Sequence, residues 1–201
     1  IIFKNNDMIL KNYHEMPLAF YSNGQRADYD QLVARVKDCL LDTISLFHKH
    51  GKDPKGIYLS GGIDSSLMTI LSKELTDTPL QTFTLYGTES ERDYYYAKKV
   101  AKAVGAIHHE FKVTVEDYFE ELPKFVYHYE NIVAGGVFDI QGGMAFQILS
   151  RHISQFVKIA FTGEGADELF GGYYWIYTHP LGFADRIRKK AEELDKNSHI
   201  H

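Results

Sequence analysis

The hydrophobic positions of the chain follow two alternating patterns. Short apolar runs, typical of strands buried in a sheet, are each followed by a segment whose apolar residues recur at helical spacing. The apolar runs cover residues 56–60, 80–85, 106–113 and 157–163. The helical segments cover residues 64–75, 93–104, 115–129 and about 144–154. Strands that alternate with helices predict right-handed crossovers and a mostly parallel sheet covered on both faces.

The segments outside this alternation are harder to assign. Apolar residues from Leu32 to Phe47 recur at helical spacing, which predicts a further helix with Asp28 or Asp30 as its N-cap. Residues 1–27 show no clean period, and we interpret them as a lead-in arm ahead of one domain over 28–201. Residues 131–143 read as an irregular stretch, and residues 183–193 as a last helix.

Composition narrows the class of protein. The chain has 201 residues and is 44% apolar, which is enough for one compact core. Its net charge of -5 argues against a nucleic-acid partner, and no apolar run approaches the roughly 20 residues of a membrane span. The single cysteine, Cys39, rules out a disulfide framework within the chain and fits a reducing compartment. We therefore expect a cytoplasmic protein.

The first candidate site is the string "SGGIDSS", Ser60–Ser66, which directly follows the first apolar run. Ligands collect at the carboxyl ends of parallel strands, glycines let the backbone approach an anion, and the N–H groups of the next helix favour it. Asp64 would repel phosphates unless a cation lay between, and Mg²⁺ prefers such oxygen ligands. The alternative is an ordinary turn with a helix cap. The full string favours a nucleotide, although it lacks the Gly-Lys-Ser/Thr ending of a Walker loop.

The second candidate site is "FTGEGADELFGGY", Phe161–Tyr173, after the last apolar run. Asp167 and Glu168 fall at a predicted helix start, where the helix dipole alone explains acidic residues. That explanation does not cover Glu164, which two glycines flank. If the two loops are neighbours, Asp64 and Asp167 can share a metal ion, and Glu164 becomes a candidate base or orienting group.

Together, the two motifs resemble the synthetase domain of the asparagine synthetase family, within the PP-loop ATP pyrophosphatases. The intervening strings "TFTLYG" and "GAIHHEF" resemble that family's second and third strands, and the likeness covers about residues 28–180. The resemblance implies an α/β fold of the adenine nucleotide alpha hydrolase-like type. This is a three-layer sandwich with a parallel sheet of four or five strands and a strand order of 3-2-1-4.

The resemblance also implies the chemistry. A substrate carboxylate attacks ATP, pyrophosphate leaves with the help of Mg²⁺, and ammonia or an amine captures the acyl-adenylate. Glu164 is then the substrate-side carboxylate, while Asp64 and Asp167 hold the metal. The residues implied to hold the pyrophosphate are Ser60, Gly61, Gly62, Asp64, Ser65 and Ser66. Those implied to line the rest of the nucleotide are Leu59, Leu85, Gly87 and Gly163.

The sequence departs from this family in three respects. No glutaminase domain precedes the motifs, so glutamine as nitrogen donor requires a glutaminase, a companion subunit or a region outside this sequence; a homo-oligomer is also open. The segment on the side of the carboxylate acceptor reads "VAGGVFDIQGGMAFQ", where the family has a Ser-Thr-Pro stretch. The resemblance therefore does not identify aspartate as the substrate, and Asp139 and Gln141 become candidate contacts of the acceptor. The family also has a late basic residue near the phosphates. Its candidates here, for which a solvated helix face is the favoured alternative, are Arg186, Arg188, Lys189 and Lys190.

Three functions remain open from the sequence. The first is an ATP-dependent, AMP-forming amide ligase acting on ATP and an unidentified carboxylate. The second is another PP-loop adenylating enzyme, for example one that modifies tRNA; the acidic chain with one mid-helix cysteine counts against it. The third is a truncated ATP-binding subunit without activity of its own, against which the carboxylates Asp64, Glu164 and Asp167 argue.

Overall fold

The computed structural model describes residues 2–4, 7–11, 28–49, 53–129 and 137–173. The chain forms two compact units, Ile1–Cys39 and Leu40–His201. In the first unit, β1 (Ile2–Lys4) pairs antiparallel with β2 (Asp7–Ile9). This hairpin was not anticipated from the sequence, because its strands are too short to show a period. Whether residues 1–27 act as a lead-in arm stays a prediction.

Helix α1 (Tyr29–Lys49) begins in the first unit and ends in the second. Its start confirms the predicted cap, because Oδ1 of Asp28 accepts the backbone N–H groups of Asp30 at 2.9 Å and Gln31 at 3.2 Å. Asp30 itself lies within the first helical turn, where a negative charge suits the helix dipole.

The second unit contains the alternating strands and helices. Its strands are β3 (Lys55–Tyr58), β4 (Gln81–Tyr86), β5 (Ile107–Lys112) and β6 (Ile159–Phe161). Its helices after α1 are α2 (Ile63–Glu74), α3 (Arg92–Val104), α4 (Val115–Tyr129), α5 (Val137–Ile153) and α6 (Ala166–Phe170). The strands form one sheet in the order β5-β4-β3-β6, and every pairing is parallel. This order confirms the predicted 3-2-1-4 arrangement.

The sheet is the middle layer of three. Successive residues of a strand face opposite sides, so Ile57 and Leu59 pack toward α2 and α3, while Phe83 packs with α5. These side chains are at most 2% exposed. A Cβ on Gly56 would lie 2.4 Å from the ring of Phe83, so the sheet and this aromatic side chain meet where only glycine leaves room.

The predicted boundary of α5 was wrong. The helix begins at Val137, several residues before the expected start, and takes in Gly142 and Gly143. These glycines suggested an irregular stretch, but a Cβ on Gly143 would lie 2.8 Å from the ring of Phe125 in α4. Gly143 is therefore a close-packing position between two helices.

The sequence predictions for the last part of the chain fall on residues that the structure does not describe. The predicted helix over 183–193 and the four basic residues within it lie outside the described residues. In the described part of the chain, no helix combines the length and apolar character needed to cross a membrane.

Candidate active site

The turn from β3 into α2 is held by several hydrogen bonds. The hydroxyls of Ser60 and Ser65 lie 2.9 Å apart, and the N–H of Gly62 donates to Oγ of Ser60 at 3.3 Å. Upstream, the N–H of Leu59 donates to the carbonyl of Phe83 at 2.9 Å, which ties the end of β3 to β4. The turn therefore presents hydroxyls and helix N–H groups from a fixed backbone at the carboxyl end of the sheet.

Gly61 sits where this turn meets helix α3. Its φ of +90° lies in the left-handed region, and an added Cβ would lie 2.0 Å from the carbonyl oxygen of Asp93. Only glycine satisfies both the conformation and the approach. Gly61 thus shapes the loop by packing against α3, and it is not among the residues that line the cavity beside the loop.

The second motif loop lies directly against the first. A Cβ on Gly163 would be 3.1 Å from Cβ of Asp64 and 3.3 Å from the backbone nitrogen of Ser65. Because β6 is the neighbour of β3 in the sheet, the loops that leave their carboxyl ends meet at the same edge. The proximity of the two motifs, expected from the sequence, is present in the structure.

A cavity of about 410 Å³ opens between these loops and helix α5. Nine of the residues singled out from the sequence line it: Leu59, Ser60, Gly62, Asp64, Ser65, Leu85, Gly163, Glu164 and Asp167. Three do not line it, namely Gly61, Ser66 and Gly87. Gly87 instead borders a second, mostly apolar cavity of about 680 Å³ between α4 and α5, which shares Leu85 as a lining residue.

Helix α6 carries Asp167 at its first turn and ends in a tight glycine turn. A Cβ on Gly172 would lie 1.7 Å from Oδ1 of Asp167, so glycine at this position leaves the space that the carboxylate occupies. The hydroxyl of Tyr173 donates to Oε1 of Glu168, which lowers the pKa of Glu168 and raises the pKa of Tyr173 to about 12. These contacts hold the acidic end of the second motif at the cavity rim.

The opposite wall of the cavity is aromatic and was not predicted. Tyr58 stacks on Phe146 of α5 with ring centroids 4.7 Å apart, and its hydroxyl lies 2.6 Å from Oγ of Ser150. Burial raises the pKa of the Tyr58 phenol. Tyr58 sits inside a strand and Phe146 inside a helix, so core packing was the natural expectation for both. The cavity therefore has one polar side and one apolar side.

Asp139 and Gln141, the candidate acceptor contacts, lie in the first part of α5. Their side chains are outside the described residues, so their acceptor role stays a prediction.

The charged side chains that line the cavity, in the part of the chain that the structure describes, are all carboxylates. They are Asp64, Glu91, Asp93, Glu164, Asp167 and Glu168. Among the described residues, no three His, Cys, Asp or Glu side chains form a metal-binding group on their own. Mg²⁺ commonly takes one or two carboxylates together with waters and substrate phosphates, so Asp64 and Asp167 fit a metal bound with a nucleotide.

The sequence profile of the asparagine synthase family matches residues 36–199, which include both motif loops and every strand of the parallel sheet. The chain belongs to the asparagine synthase family. The profile match and the cavity geometry agree, because the segments that carry the family resemblance are those that border the cavity.

Two curated members of the asparagine synthase family illustrate the relationship. Asparagine synthetase [glutamine-hydrolyzing] 1 of Bacillus subtilis (strain 168) is 34% identical over 157 residues, covering 78% of this chain and 24% of the relative. Asparagine synthetase [glutamine-hydrolyzing] 1 of Lotus japonicus is 37% identical over 181 residues, covering 82% and 28%. This chain thus spans about a quarter of the length of these relatives.

A solved structure with low sequence identity to this chain shares its fold. Glutamine-dependent NAD+ synthetase from Acinetobacter baumannii, determined in complex with ADP, superposes with a TM-score of 0.54 at 16% identity. The match covers 74% of this chain and 29% of that chain. The architecture is therefore the PP-loop three-layer α/β sandwich.

Proposed function

We propose that this chain is the ATP-binding, adenylating part of an amide-forming ligase. A carboxylate oxygen of the substrate attacks the α-phosphorus of ATP, the bond from that phosphorus to the pyrophosphate oxygen breaks, and pyrophosphate leaves. The nitrogen of ammonia or an amine then attacks the acyl carbon, the bond to AMP breaks, and the nitrogen loses a proton. The observation that carries this proposal is that two motif loops, distant in the sequence, border one cavity.

The turn that follows β3 is proposed to hold the pyrophosphate. Its hydroxyl and N–H donors face the cavity at a helix N-terminus, which suits an anion. The donors assigned here are Ser60, Gly62 and Ser65, with Gly61 and Ser66 completing the loop. Leu59, Leu85, Gly87 and Gly163 are assigned to the nucleoside side, where contacts are apolar or made by the backbone.

Asp64 and Asp167 are proposed as ligands of a Mg²⁺ ion that accompanies ATP. Support comes from the charge of the cavity. Its described lining is acidic and ATP is a polyanion, so the two would repel each other unless a cation lay between them. Bound there, Mg²⁺ would neutralise charge that develops on the leaving pyrophosphate. The protein's own contribution is to hold both carboxylates on loops fixed by glycine contacts at Gly163 and Gly172.

Glu164 is proposed to face the reacting groups as a general base or an orienting group. It is exposed within the cavity, and its backbone N–H donates to Oγ1 of Thr162 at 3.3 Å, which holds the turn. A base at this place would accept the proton that the attacking nitrogen loses. The carboxylic acid itself is unidentified, and Asp139 and Gln141 remain its proposed contacts.

The nitrogen source is proposed to be ammonia from a glutaminase, in line with the names of the relatives, which are described as glutamine-hydrolyzing. The glutaminase would be a region outside this sequence or a companion subunit, and a homo-oligomer of the chain stays a prediction. A cytoplasmic location is likewise proposed, in line with the single cysteine, Cys39.

The test is release of pyrophosphate from Mg²⁺-ATP with pools of carboxylic acids, with ammonium and without it. We expect acid-dependent release, lost in Asp64→Asn, Asp167→Asn and Glu164→Gln. Asp77→Asn is the matched control, because Asp77 is an exposed acid in the turn before β4, at the amino-terminal end of the strands and so at the opposite end of the sheet from the cavity. ATP binding without any release would instead support a non-catalytic ATP-binding subunit.

A further inference from the structure

We propose that Glu91 recognises the sugar of the nucleotide by accepting a hydrogen bond from a ribose hydroxyl. The proposal rests on the proposed function, since it needs ATP in the cavity. Glu91 is the N-cap residue of α3 and follows the loop that leaves β4. It was not singled out from the sequence, and none of the roles proposed above involves its side chain.

The carboxylate of Glu91 is held in place by the backbone. Its Oε1 accepts the N–H groups of Gly87 at 3.0 Å and Thr88 at 2.8 Å. Among the described residues, both hydrogen bonds to this carboxylate use Oε1. A carboxylate has about four acceptor positions on its two oxygens, so Oε2 keeps its capacity to accept from a ligand. The two backbone donors fix its orientation in advance.

The position of Glu91 matches the nucleoside end of the site. Glu91, Leu85 and Ala145 are the residues that line both cavities. None of residues 60–66, the turn proposed to hold the pyrophosphate, lines the second cavity. Its border includes apolar side chains such as Val113 and Met144. A nucleotide whose phosphates lie at the loop would therefore pass Glu91 on the way to the apolar side.

Hydroxyls are the donors that suit this place. A carboxylate accepts but does not donate, and the charge-assisted bond that it makes with a hydroxyl is short and strong. In the dinucleotide sites of doubly wound parallel sheets, an Asp or Glu downstream of the glycine-rich turn accepts a hydrogen bond from a ribose hydroxyl. Here β4 is the second strand of the parallel sheet along the chain, and Glu91 follows its carboxyl end, on the side of the sheet where the two motif loops lie.

The experiment measures the ratio of two affinities, which a general weakening of the fold leaves unchanged. Calorimetric titrations with the Mg²⁺ complexes of ATP, 2′-deoxyATP and 3′-deoxyATP are run on the wild type, Glu91→Ala and Glu91→Gln. Glu89→Ala is the matched control, because Glu89 is an exposed acid of the same loop that lines neither of the two cavities.

We expect the wild type and Glu89→Ala to prefer ATP over at least one deoxy analogue by about tenfold or more, the worth of one charge-assisted bond. In Glu91→Ala the ratio should approach one, and Glu91→Gln, which keeps an acceptor without the charge, should fall between. Equal affinity of the wild type for all three nucleotides would overturn the proposal. So would a ratio that survives in Glu91→Ala, since Glu91 would then only position the loop. A wild type that binds no ATP would instead overturn the proposed function.

Discussion

Replacing Gly61 by alanine tests the contact that shapes the turn from β3 into α2, which is proposed to hold the pyrophosphate. In the structure, the new Cβ would lie 2.0 Å from the carbonyl oxygen of Asp93 and 2.8 Å from the backbone nitrogen of Ala97. Both atoms belong to the backbone of α3, so no side chain can rotate away. The loop or the helix has to move.

The magnitude has two parts. Alanine at a φ of +90° costs about 1–2 kcal/mol, because the left-handed region crowds a Cβ. The collision with α3 adds about 1–3 kcal/mol, the usual range for overpacking. Gly105 separates the two, because its φ is +65° and an added Cβ would meet nothing within 4 Å. Gly105→Ala should therefore show the first part alone.

The assay is urea unfolding of both variants, followed by titration with Mg²⁺-ATP. We expect a loss of about 2–5 kcal/mol in unfolding free energy for Gly61→Ala and about 1–2 kcal/mol for Gly105→Ala. Only Gly61→Ala should also weaken ATP binding, since Gly105 lies at the far end of α3. Equal destabilisation of the two variants would refute the close approach of α3 to the loop.

Three further predictions concern packing and pH. Gly143→Ala should lower the unfolding free energy measured in urea by about 1–3 kcal/mol, because its Cβ would lie 2.8 Å from an aromatic ring of α4. Gly142→Ala in the same helix is the control and should leave this free energy unchanged or raise it. A larger loss for Gly142→Ala than for Gly143→Ala would contradict the packing. Glu121 is 2% exposed and ion-paired with basic side chains of α4 and α5, so Glu121→Ala should cost about 1–3 kcal/mol after allowance for those half-exposed cations. The same change at its exposed neighbour Glu120 should cost close to nothing, and equal losses would argue against the buried pair. Burial lowers the pKa of His109 below 6.5, so at acidic pH the unfolded chain binds more protons than the folded chain. The melting temperature should therefore be highest above about pH 6.5 and fall below it, and it should fall less in His109→Phe. A melting temperature that does not depend on pH would contradict this.

The sheet and the meeting of the two loops could be predicted because they depend on strong local signals. Each apolar run is bounded by turn residues, and parallel strands place their carboxyl ends at one edge. Asp64 and Asp167 therefore had to approach each other if the strand order was right. The observed order β5-β4-β3-β6 is the predicted one, and both residues line the same cavity, while a metal ion shared between them stays a proposal.

Other features depended on contacts that no local pattern reveals. Gly143 looked like a helix breaker because its tertiary partner, Phe125, is distant in the sequence. Glu91 looked like any acid near a helix start, and its bonds to the loop appear only once the turn after β4 is folded. The part that Gly61 plays in holding the pyrophosphate stays a prediction, but its close contact with the backbone of α3 has no signal in the sequence.

The most direct measurement of the central claim is a double-mutant cycle on Asp64 and Asp167, with Mn²⁺ as a probe followed by electron paramagnetic resonance. Affinities for Mn²⁺-ATP and for metal-free ATP are determined for Asp64→Asn, Asp167→Asn and the double variant. We expect each single change to weaken binding of Mn²⁺-ATP, the double change to lose about 0.5–3 kcal/mol less than the sum, and metal-free ATP to bind no worse. Strictly additive losses, or a variant that binds Mn²⁺-ATP like the wild type, would contradict a metal ion shared by the two loops.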